Sequence, residues 1–129
     1  MSVRKEDPAF EIEFFERILR KDPLQVDVLR QIGHLYTRNG RLAEGLKVDR
    51  ALAVLCPADP IAQYNLACSY SLLGRIDEAF ASLQEAIQCG YRDLDHLRND
   101  PDLAPIRRDP RFEKVFGSAR RPGTSARGA

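Results

Sequence analysis

No run of this chain approaches the ~18 apolar residues of a membrane span, and its start, MSVRKEDPAF, lacks the apolar stretch that a secretory signal needs. A soluble, cytoplasmic protein with no membrane partner is expected. Charge of one sign is lacking too: 20 Lys+Arg stand against 19 Asp+Glu, a formal +1, which leaves no whole-protein field for nucleic acid or an acidic bilayer. Cysteine is scarce. Cys56, Cys68 and Cys89 are an odd count at wide spacings, which argues against a disulfide framework or a zinc knuckle and fits reduced, buried thiols. Histidine is scarcer still, with His34 and His96 alone, and no segment alternates polar and apolar residues as a half-buried strand does.

What is present is punctuation. Five Asp-Pro pairs, at 7-8, 22-23, 59-60, 100-101 and 109-110, each predict a helix start. The aspartate can accept from first-turn amides, and proline suits the first helical position, where its missing N–H costs nothing. Gly40, Gly74 and Gly90 fall where helices should stop, because glycine takes the left-handed cap conformation cheaply. Between these marks apolar residues recur at three and four, as in Val28, Leu29, Ile32, Leu35 and Tyr36, or Phe80, Leu83, Ala86 and Ile87. The pattern predicts an all-α chain with helices near 8–20, 23–38, 41–55, 60–72 and 75–89, and shorter pieces near 93–99 and 110–117. Charge divides unevenly along it. Residues 107–129 carry seven basic groups against Asp109 and Glu113, net +5, and residues 1–106 carry 13 basic against 17 acidic, net −4. A single domain over 1–118 is expected, followed by a disordered basic tail at 119–129.

Shifting the chain by 34 residues lays Gly33 on Ala67, Tyr36 on Tyr70, Gly40-Arg41 on Gly74-Arg75 and Glu44 on Glu78. Thirty-four is the tetratricopeptide period, and the chain resembles that family over roughly residues 8–93. One repeat offers Leu29, Ile32, Gly33, Tyr36, Gly45 and Pro57. The next offers Leu66, Ala67, Tyr70, Ala79 and Leu83. The resemblance implies a short right-handed solenoid of antiparallel helix pairs, about two and a half repeats with capping helices at the C-terminal end. Its parts would be an unpaired helix at 8–22, repeats at 23–59 and 60–92, and a closing segment at 93–118 like that of many bacterial chains of this kind. Small residues let paired helices approach, so Gly33 should face Gly45 and Ala67 should face Ala79. The first repeat should be the weaker, since glycine costs about 1 kcal/mol against alanine in a helix and Asp49 stands where the family has an aromatic residue.

Two patterns invite chemistry and are better explained as structure. In NLACSYSLLG, Cys68 sits beside Ser69, Tyr70 and Ser71, yet neither histidine lies in the motif to act as a base, so packing accounts for it and no catalytic residue is expected. Asp93, Asp95, Asp100 and Asp102 lack the glycine turn and terminal glutamate of a calcium loop, and helix capping explains Asp100 better. Neither a metal nor a cofactor is expected.

Function is therefore sought on surfaces. The resemblance implies a concave groove lined by the first helices of the repeats, holding a peptide. Arg30, His34 and Arg38 form one stripe at i, i+4 and i+8, and Tyr64, Asn65, Cys68 and Arg98 fall at further places facing the groove. The family's clamp for chaperone tails would fall on Arg30, His34, Asn65, Asp95 and Asn99, where two of its cations are replaced. The expected partner is instead an acidic or C-terminal peptide with an apolar anchor. A second reading is a self-associating or structural module, a homodimer formed through the Phe10, Phe14 and Phe15 helix at an uncapped end. Nucleic acid binding through Arg120, Arg121 and Arg127 ranks last, because the tail has no aromatic residue for stacking.

Overall fold

The computed structural model describes residues Asp7–Arg120, and among them every regular element is a helix. The chain divides into two compact units at Leu55/Cys56. The first holds α1 (Pro8–Lys21), α2 (Val26–Arg38) and α3 (Leu42–Leu55). The second holds α4 (Pro60–Leu72), α5 (Ile76–Gln88), α6 (Leu94–Asn99), a 3-10 turn over Pro101–Leu103, α7 (Ala104–Arg107) and α8 (Pro110–Arg120). The expected disordered tail lies outside the described residues from 121 onward, and its first two residues, Ala119 and Arg120, still belong to α8.

Four of the five Asp-Pro pairs begin helical turns. Asp7, Asp59, Asp100 and Asp109 each accept from the amide two residues on, at 2.9 Å in every case. Asp22-Pro23 is the exception. The Asp22 amide closes α1 on the Ile18 carbonyl, Pro23 and Leu24 make a turn, and α2 begins three residues later than the proline, after Gln25. An aspartate whose backbone is spent on ending one helix is not positioned to start the next. The three stop glycines all have positive φ, 78° at Gly40, 76° at Gly74 and 112° at Gly90, a region that a Cβ would strain.

The 34-residue period is visible in hydrogen bonds. Arg41 N–H donates to the Tyr36 carbonyl and Arg75 N–H to that of Tyr70, both at 2.9 Å. Each arginine then lies over the ring of that tyrosine, at 4.7 and 5.0 Å, and pairs with a glutamate three residues on, Glu44 or Glu78. The glycines work as expected. A Cβ on Gly33 would stand 3.0 Å from Val48 Cγ1, and one on Gly45 would stand 2.6 Å from Thr37 Oγ1 and 3.7 Å from the Gly33 carbonyl oxygen. Position 33 meeting 48 while 37 meets 45 is the register of an antiparallel pair, so α2 and α3 form a close helical hairpin.

Within the first unit Ile12, Ile32 and Tyr36 form the buried cluster, with Phe15, Leu19, Leu35 and Val48 half-buried against it. Tyr36 also fastens α1, donating its hydroxyl to Glu16 at 2.6 Å. In the second unit the core is continuous from the α4/α5 hairpin into the closing segment, where Leu97, Leu103, Ile106 and Phe112 are wholly buried against Ala67, Ala79 and Leu83. The short elements after Gly90 thus cover the apolar face of the hairpin, as the end of a helical array requires.

Candidate functional site

Each unit presents its own candidate residues. On α2 His34 and Arg38 are exposed, and Arg30 is half-exposed and engaged with a neighbour. Their spacing of four keeps them on one side of the helix, away from the buried stripe Val28, Leu29, Ile32, Gly33 and Tyr36. Asp27 is the acidic residue of this helix and stands in its first turn, where the helix dipole favours it.

In the second unit Asn65 alone of the α4 candidates reaches solvent. Tyr64 and Cys68 are 3% and 6% exposed, which corrects the expectation that they line an open groove. The reason is the closing segment, whose Asp100 is itself buried. Asp100 Oδ2 accepts the Tyr64 hydroxyl at 2.6 Å, lies 3.7 Å from Cys68 Sγ and faces His96 Nε2 at 3.1 Å, while Oδ1 accepts the Asp102 amide. Tyr91 stacks on Tyr64 with ring centres 4.3 Å apart and planes 3° from parallel. Arg107 donates to the Asp100 carbonyl at 2.5 Å. Arg98 is likewise committed, to Glu113 at 2.6 Å and over the Phe116 ring at 3.9 Å, and it draws the Glu113 carboxyl below the usual carboxylate range.

The electrostatics of this knot favour protons staying where they are. Burial, then the charges of Asp100 and Asp102, push the Cys68 thiol well above its ordinary value. Burial also raises the Tyr64 phenol far above its ordinary range, with the nearby thiol and the Asp100 bond adding to it, and lifts Tyr91 to about 12. A thiol kept protonated is a poor nucleophile and a poor metal ligand. Cys68, Asp100 and Asp102 do bring donor atoms within 4.8 Å of one another. Among the described residues they are the group that could hold an ion. Both Asp100 oxygens, however, already accept protein donors, and the arrangement reads as a fastening of the closing segment to α4. Periodicity could not reveal this knot, since it joins residues 64 and 100 across three elements. The capping role assigned to Asp100 was its one legible part.

The fold is all-α and of the tetratricopeptide-like helical-repeat class. It matches the crystal structure of MamA with a TM-score of 0.73 at 21% identity, over 89% of this chain and 66% of that one. In sequence the chain is similar to a chloroplastic protein of Arabidopsis thaliana, 32% identical over 87 residues, 65% of this chain and 26% of that protein. It is also similar to the peroxisomal targeting signal receptor of Komagataella phaffii (strain GS115 / ATCC 20864), 30% identical over 91 residues, 69% of this chain and 16% of the receptor. The chain thus spans about a quarter or less of the length of these curated relatives. No family model matches it.

Proposed function

We propose that the chain is a non-catalytic interaction module that takes an acidic segment of a partner protein on the exposed side of α2, through Arg30, His34 and Arg38. The observation that carries this reading is the helical spacing of the three residues on a face with no role in the buried cluster. Guanidinium groups hold carboxylates by charge-assisted, often bidentate, hydrogen bonds. Of the candidates in the second unit, Tyr64 and Cys68 serve the interior and Arg98 serves Glu113, so the capture is assigned to α2. The name of one relative, a receptor for a targeting signal, is in keeping with recognition of polypeptide. We place this work in the cytoplasm, in keeping with three cysteines that stand unbridged.

A specific observation also favours self-association. Phe10 and Phe14, one turn apart on α1, are 39% and 52% exposed. Large aromatic side chains at such exposure are common at interfaces. Capture of partners from the protein's own cells separates the two readings. Arg30→Glu with Arg38→Glu should abolish capture and leave the helical circular dichroism intact, and Phe14→Glu should spare it. Partners that survive the arginine reversals and vanish with Phe14→Glu would overturn the α2 reading.

A further inference from the structure

We propose that the cleft between α5 and α8 receives the first two turns of α1 from a second copy of this chain, in a head-to-tail contact. This rests on the self-association reading and names the receiving surface, which is made of other residues than the α2 residues assigned to a partner.

The cleft arises where two helical stripes face one another, Phe80, Gln84 and Ile87 from α5 and Arg111, Lys114 and Val115 from α8. It encloses about 580 Å³, large enough for a pair of inserted side chains. Phe80, Ile87 and Val115 are core residues whose edges form an apolar floor. No carboxylate lies among the described lining residues, and two cations do. Arg111 is committed: it pairs with Asp77 and Asp109, both at 2.9 Å, and lies over the Phe80 ring at 4.6 Å. Lys114 is exposed and makes no ion pair among the described residues. The cleft therefore calls for an apolar insert that carries a negative charge beside it.

The chain itself contains such an insert. Residues 7–14, DPAFEIEF, bear Asp7, Glu11 and Glu13 and no cation. Phe10 and Phe14 share one exposed face of that segment, and Glu13 and Arg17 join them around a shallow depression of about 70 Å³. Among the described residues Glu13 pairs with Arg17, at 3.4 Å, in an exposed pair that is readily exchanged for a better one. Aromatic rings on the floor and a carboxylate on Lys114 satisfy both requirements at once. Because the donating and receiving patches differ, the contact is heterologous and each copy has one patch left to extend the assembly.

Sedimentation velocity on the full chain over a range of concentrations tests this. The wild type should show an average mass that rises past the dimer, while Phe14→Glu and Lys114→Glu, each still helical by circular dichroism, should each associate at least tenfold more weakly. Mixing the two variants should restore a single heterodimer that grows no further, since one supplies an intact cleft and the other an intact α1. If Phe14→Glu abolishes association and Lys114→Glu leaves it unchanged, self-association stands and the cleft is overturned. A wild type that stays monomeric throughout overturns both.

Discussion

The α2/α3 and α4/α5 hairpins occupy the same register 34 residues apart and solve the same packing problem differently. Where helices come closest, the first uses Gly33 and Gly45 and the second Ala67 and Ala79. Thr37 makes the difference intelligible. Its hydroxyl donates to the Gly33 carbonyl at 3.1 Å and stands where a Cβ on residue 45 would go, whereas the hydroxyl of its counterpart Ser71 is buried with no hydrogen-bond partner among the described residues and position 79 carries a methyl. At the next register position Asp49 is 6% exposed, and Leu83 is wholly buried. That aspartate is engaged by its surroundings, so its burial is tolerated, but it contributes none of the apolar burial that leucine gives. The second hairpin also gains a closing segment, which brings four wholly buried side chains and the Tyr64–Asp100 bond. One repeat motif can thus yield a well-covered unit and a more lightly cored one.

Removing the cover is the strongest way to break the contrast. Phe112→Ala takes the largest wholly buried side chain from the second unit and should lower the unfolding free energy by about 3–5 kcal/mol in urea denaturation. A loss below about 1 kcal/mol would mean that the segment is an ornament on the hairpin rather than part of its core.

A gentler change makes the first hairpin resemble the second. Gly45→Ala should be neutral or destabilising while Thr37 is present, because the new methyl displaces the threonine hydroxyl. In a Thr37→Ala background the same change should stabilise by about 1 kcal/mol, the helix preference for alanine over glycine. The double-mutant cycle reads the coupling directly, and additivity of the two changes would refute this account of the glycine.

Much of this contrast was legible in the sequence. The Gly-Arg corner, the small residues at the hairpin contact and the stop glycines are local rules that the chain obeys in both repeats. Asp22-Pro23 broke the helix-start rule because the amide of Asp22 was already spent on ending α1. The groove assignment of Tyr64 and Cys68 failed for a tertiary reason: helical spacing says which side of α4 they occupy, and a segment some 30 residues on decides whether that side is open. His34 and Arg38 meet no such covering within their own unit and stay exposed.

Hydrogen exchange followed by residue-resolved NMR tests the contrast most directly, since amide protection reports local opening free energy. Amides of α5, over Ile76–Gln88, should exchange more slowly than those of α3, over Leu42–Leu55. Protection of α3 equal to or above that of α5 would contradict the claim that the closing segment and the alanine-packed hairpin make the second unit the more stable.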